Sequence, residues 1–177
     1  MARHRRVFSV LVAAAWQLLS SQRARAYEEQ ASFDMSAGYV SVVDSAHLPA
    51  QGTALDLGAA LGISDIAVLR GLLGYALLPE GRATAHVGRL RVEALYLVDV
   101  LQFVPFFGLG AGLFVARQGD SGVDFLPAGQ LVFGADYLLS RSWTLGLDVR
   151  TGALLERGEV RSTSDVSLRL SRMFETF

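Results

Sequence analysis

Few side chains in this 177-residue sequence are of the types that break bonds or hold metals. Cysteine is absent, which removes disulfides and thiolate metal sites. Beyond His4, only His47 and His86 carry an imidazole, too few for a metal centre. Asp44, Ser45 and His47 are the residue types of a nucleophilic triad, but they crowd into four residues of a polar stretch, where solvated side chains are the simpler reading. Gly108, Gly110 and Gly112 are spaced by two and follow no strand-to-helix pattern of the kind that cradles phosphate. The set that stands out is ionic. Asp34, Asp56, Arg70, Arg89, Arg91, Glu93, Asp136, Asp148, Arg150 and Arg169 each fall, within their own segment, on the face that also carries glycine, alanine and serine. Five guanidiniums against five carboxylates on one enclosed face would form an ion-pair network, because unpaired charge in a confined space is costly.

Holding such a network requires strands, and the chain has period two in eight segments. Residues 31–43 set Phe33, Met35, Ala37, Tyr39 and Val43 against Asp34, Ser36 and Gly38; residues 53–63 set Leu55, Leu57, Ala59 and Leu61 against Asp56, Gly58, Ala60 and Gly62. Residues 66–78 are the least regular: Leu69, Leu73, Tyr75 and Leu77 oppose Arg70 and Gly74, with Leu72 on the wrong face. Residues 84–98 oppose Leu90, Val92, Ala94 and Tyr96 to Arg89, Arg91 and Glu93, and parity is taken to point His86 inward. Residues 102–116 alternate Phe107, Leu109, Ala111 and Leu113 with the three glycines. A membrane helix over 98–116 is disfavoured by Asp99, Gln102, Pro105 and those glycines. Residues 123–139 and 142–155 follow the same rule, with Phe125, Leu131, Phe133 and Tyr137 opposite Gln130 and Asp136, and Trp143, Leu145, Leu147 and Val149 opposite Asp148 and Arg150. The last run, 165–177, sets Val166, Leu168 and Leu170 against Ser167, Arg169 and Ser171 and ends on Phe177.

A leader precedes these segments. Residues 1–6 are basic, 7–19 are apolar and 20–26 close on Ala24-Arg25-Ala26, the anatomy of a signal peptide cleaved after Ala26, with residues 27–177 as one mature domain. About 13 apolar residues are too few to span a bilayer as a helix. Cleavage removes five of the 16 basic residues and no acid, leaving 11 basic against 17 acidic residues, a net charge of −6 without any lysine. Such a chain is a poor partner for nucleic acid.

The distribution of size between the faces separates a soluble barrel from a membrane barrel. In a soluble barrel bulky apolar side chains point inward. Here glycine, alanine and charge share one face and leucine, valine and aromatics the other, the inverted arrangement of a transmembrane β-barrel. With both termini at the periplasmic side, short turns fall at 64–65, 99–101 and 140–142. Longer outer loops fall at 44–52, 79–82, 117–122 and 156–164, the last carrying the mixed charges Glu156, Arg157, Glu159, Arg161 and Asp165. Phe33, Tyr96, Phe103, Tyr137, Trp143, Phe174 and Phe177 would line the periplasmic interface and Tyr39, Tyr75 and Phe125 the outer one.

On the leader, the eight alternating segments and terminal Phe177, the chain resembles the small eight-stranded outer-membrane barrels of the OmpA/OmpX and OmpW kind across the mature sequence. The resemblance implies an all-β, antiparallel up-and-down barrel in the outer membrane of a Gram-negative bacterium. The expected surroundings are membrane lipid and lipopolysaccharide, Phe177 would be read by the barrel-assembly machinery, and one copy suffices. Counting back from Phe177 puts Glu175, Ser171 and Arg169 on the lipid side, which requires a bulge near Arg172 or a C-terminus outside the sheet. Barrels of this size include lipid A deacylases and palmitoyltransferases, but neither His47 nor His86 has the His-x-Ser arrangement of the deacylases. No catalytic residue, cofactor or metal is expected. Two readings of the lumen stay open, a plug of ion pairs in a structural or surface-interaction protein, and a narrow pore or apolar-solute channel; a soluble lipocalin-like binder would need the faces exchanged.

Overall fold

In the computed structural model, which describes residues 30–43, 51–80, 83–98, 102–118, 122–156 and 158–175, the chain is a closed barrel of eight antiparallel strands. In chain order they are β1 (Gln30–Val43), β2 (Gln51–Ser64), β3 (Ala67–Glu80), β4 (Ala83–Leu97), β5 (Phe103–Gln118), β6 (Val123–Leu138), β7 (Trp143–Glu156) and β8 (Glu159–Glu175). Each pairs with its sequence neighbour, and β8 returns to β1 through fourteen residue pairs from Gln30↔Glu175 to Val43↔Ser162. The start of β1 and the end of β8 therefore lie at one end of the barrel, here the terminal end; the other is the far end. Closure leaves no open edge, the condition for placing a sheet in lipid, where no water can satisfy backbone groups.

The strands are 14 to 17 residues long. At ~3.3 Å per residue and a tilt of ~40°, they reach roughly 35–43 Å along the axis, more than the ~25 Å apolar band of a membrane barrel. At the far end the connections between strands are seven, two, four and two residues. The loop expected over 156–164 is mostly strand. β7 and β8 continue to the pair Glu156↔Glu159, and Gly158 turns the chain with φ of 89°, a left-handed conformation that a side chain would strain.

Alternation holds along every strand. Outward side chains include Leu55, Leu73, Leu109, Phe125 and Leu168, each more than 60% exposed to the surroundings of the barrel. A leucine surface of that extent is stable in lipid and not in water. The soluble-binder alternative would need those residues inside, and it is set aside. Residues 103–118 are strand, so the stretch in which a membrane helix was considered is β5.

Leu72 lies where its parity put it, on the face of Arg70 and Gly74: it is buried inside the barrel beside Gly58, so the lumen is not purely polar. Two expectations are corrected. His86 points outward, since inward Arg89, Arg91 and Glu93 have odd numbers; it is exposed and hydrogen-bonded through Nδ1 to the phenol of Tyr75. No bulge occurs near Arg172. The pairs Asp34↔Ser171, Phe33↔Arg172, Ser32↔Met173 and Ala31↔Phe174 are continuous, and among the described residues the register shift falls between Gly62 and Ser64. Arg172 takes an outward position without breaking the ladder because its guanidinium lies over the rings of Trp143 and Phe174, 5.7 and 5.2 Å from their centroids. The leader, Asp44 to His47 and Phe177 lie outside the described residues.

Candidate functional site: the barrel lumen

Parity sends all ten candidate charges into the lumen. Nine of them are at least 95% buried; Asp136, nearer the terminal end, is partly exposed. They are gathered from seven strands. β5 supplies none, and its Gly110 is instead the gap into which neighbours fit: a Cβ there would lie 2.8 Å from Gln130 Nε2 and 3.1 Å from Glu93 Cγ. Gly74 and Gly146 serve likewise, because a methyl group at either would overlap the carboxylate of Asp56 or of Asp136.

The charges form three connected groups. Toward the far end, Arg89 donates to both oxygens of Asp56 at 2.8 Å and to Asp165 at 2.6 Å, and Arg91 joins the same two carboxylates at 2.7 and 3.4 Å. In the middle, Arg150 donates to Glu93 at 2.7 Å and to Asp148 at 2.8 Å, and Gln130 Nε2 donates to Glu93 at 3.0 Å. Toward the terminal end, Arg70 reaches Glu93 at 2.5 Å and Asp148 at 3.5 Å. Arg169 there joins Asp136 at 2.7 Å, Asp148 at 3.2 Å and, loosely, Asp34 at 3.9 Å. Isolated ions at this burial would be destabilising by several kcal/mol each. Multiple carboxylates per guanidinium and hydrogen bonds from Arg150 to Ser167 and from Arg169 to Ser171 offset that cost.

Asp165 was misplaced by the sequence reading. It was assigned to a surface loop but sits in the lumen, where Arg89, Arg91 and Arg150 surround it, so the network holds six carboxylates against five arginines. The signal was present, because Asp165 shares the parity of Ser167 and Arg169. Gln130, Ser167 and Ser171 belong to the network for the same reason.

Two apolar groups flank the charges. At the far end Val40, Val42, Leu78, Phe114, Leu126 and Leu154 pack together across the barrel. At the terminal end Leu95, Leu97, Val104, Phe106 and Val132 form a second group on the β4–β6 side only. The Phe106 ring supports the network from below, with the guanidiniums of Arg70 and Arg169 each 5.6 Å from its centroid. Opposite it stand small residues, and there a cavity of about 60 Å³ remains, lined in part by Asp34, Arg70, Phe106, Asp136, Arg169 and Met173. A second cavity, between Arg89, Arg91, Arg150 and Asp165, is about 10 Å³, room for one water.

The chain matches no protein-family model and no curated protein in sequence. In solved structures the architecture recurs. Neisserial surface protein A is 15% identical, with a TM-score of 0.59 over 82% of this chain and 96% of the other. Ail, the attachment invasion locus protein of Yersinia pestis, is 12% identical, with a TM-score of 0.58 over 83% and 99%. The N-terminal β-barrel domain of Pseudomonas aeruginosa OprF gives 12% and 0.58 over 83% and 98%. The chain has the fold of the small eight-stranded outer-membrane barrels. At these identities the likeness concerns the fold.

Proposed function

We propose that the protein resides in the outer membrane as a closed barrel, with a structural or surface-interaction role and no enzymatic activity. The observation that carries this reading is the filled lumen: a connected ion-pair network under an apolar layer that crosses the far end. An eight-stranded barrel has barely enough interior for its own side chains, and here arginines occupy it. Removal of a signal peptide after Ala26, the terminal end facing the periplasm, lipopolysaccharide around the far end, recognition of Phe177 by the assembly machinery and a monomeric state all belong to the same proposal. The short far-end connections favour a structural part over a large adhesive surface. His86, whose described partner is Tyr75, is read as an interfacial side chain at headgroup depth.

Planar-bilayer recording of the purified protein tests the closed lumen. The expected result is the absence of single-channel steps from a preparation whose unheated form migrates differently from its boiled form. Resolved steps from that folded material would favour the narrow pore instead.

A further inference from the structure

The charge balance of the lumen is uneven. Arg89 and Arg91 face Asp56 and Asp165, and Arg150 bridges Glu93 and Asp148, which Arg70 also joins. Arg169 alone is then left for Asp34 and Asp136, while also reaching Asp148. Six carboxylates face five arginines, so one carboxylate of the network has no matching cation. Asp34 is the least compensated: it is 1% exposed, its Oδ1 accepts from Ser32 Oγ at 2.9 Å, its approach to Arg169 is 3.9 Å, and its Oδ2 has no hydrogen-bond partner among the described residues. A buried carboxylate oxygen left in that state is costly. Asp34 also lines the 60 Å³ cavity, and the soft χ2 torsion of aspartate can turn Oδ2 toward it.

We infer that this cavity is a binding site for a small monovalent organic cation, a primary ammonium of methylammonium to short-alkylammonium size. A neutral molecule or water would leave the surplus negative charge uncompensated. A divalent metal ion would meet two guanidiniums and too few oxygens. The remaining walls select further. Leu97, Met173 and the Phe106 ring offer apolar surface to an alkyl group, while Asp34 and Asp136 accept from the ammonium. The site is a dead end, because the ion-pair network and the apolar layer of the far end lie beyond it. The inference rests on the closed-lumen reading for its one-sided access.

Met173 lines the cavity, whereas Met35 points outward, and this gives a local reporter. The protein, carrying 13C-methyl methionine and held in zwitterionic detergent, is titrated with methylammonium chloride. The Met173 methyl resonance is expected to move saturably while Met35 stays still, with no such response to sodium chloride at equal ionic strength or to methanol. Asp34→Asn, which leaves the far and middle ion pairs intact, should weaken binding about ten-fold or more; Asp136→Asn provides a second variant if the first does not show the heat-dependent gel shift of a folded barrel. An equal response to sodium chloride, an unaltered response in both variants, or no saturable shift overturns the site. So does an infrared carboxylic-acid band in the wild-type protein that disappears in Asp34→Asn, since a proton would then supply the missing positive charge. Bilayer conductance by the wild type would overturn the closed lumen without touching the methionine result.

Discussion

The two halves of the lumen follow the same alternation rule and reach different ends. In the far half, Arg89 and Arg91 are matched one to one by Asp56 and Asp165, Phe114 and Leu126 close the space above them, and the space left is about 10 Å³. In the terminal half, Asp34 and Asp136 have Arg169 as their arginine partner, the apolar group covers one side, and about 60 Å³ stays open. The one register shift among the described residues, at Gly62 to Ser64, falls at the terminal end, and strand number does not differ between the halves. Inward side-chain size does: Gly62, Gly146 and Ser171 stand on the open side of the terminal half where valines and leucines stand in the far half. A barrel of fixed strand number is thus sealed or hollowed largely by residue choice.

The largest effect is expected where the halves meet. Arg150→Met would leave Glu93, Asp148 and Asp165 short of a cation together, and a loss of ~3–5 kcal/mol is expected from denaturant unfolding in detergent. Retention of wild-type stability there would mean that the network is dispensable and the apolar layers hold the barrel. Gly74→Val drives a branched side chain against Asp56, and about 1–3 kcal/mol should be lost. The equivalent change at Gly71, where a Cβ meets nothing within 4 Å, should cost less in the same assay. The asymmetry is sharpened by conductance: replacing Arg89, Arg91, Phe114 and Leu126 together by alanine should produce channel openings, while Asp34→Asn with Asp136→Asn should not, because the far half remains sealed. The smallest effect belongs to the rim. Glu159, largely exposed, pairs with Arg161, and Glu159→Gln should change stability by less than ~0.5 kcal/mol.

Strand number, barrel closure and the ten candidate charges were legible because the sheet has a period of two and this barrel places bulk outside it. What escaped did so for separate physical reasons. Asp165 was missed because β8 begins above the apolar band, where outward Ser162 and Ser164 and inward Thr163 give no contrast between faces. The far apolar layer was hidden in runs such as Val40 to Val43 and Leu77-Leu78, where both parities are apolar and composition cannot tell lumen from lipid. The bulge inferred near Arg172 came from counting back from Phe177 as an outward position, whereas the ladder keeps the parity of Val166, Leu168 and Leu170 through Phe174, with Arg172 supported by aromatic rings on the outer face. His86 was a matter of counting, since its even number already placed it with Leu90 and Val92. The hollow of the terminal half follows from side chains of strands far apart in sequence, and no single segment carries its signature.

The seam between β1 and β8 sets the timing of this protein's life before the membrane. Gln30 finds its partner in Glu175, so the first strand synthesised waits for nearly the last residues of the chain before its outer edge is satisfied. Until then any partial sheet would present two raw edges and a leucine-rich surface to water, the condition under which chains adhere to one another. The ring therefore cannot close on fewer residues than Gln30 to Glu175, and its outer leucines are satisfied only where a closed ring meets lipid.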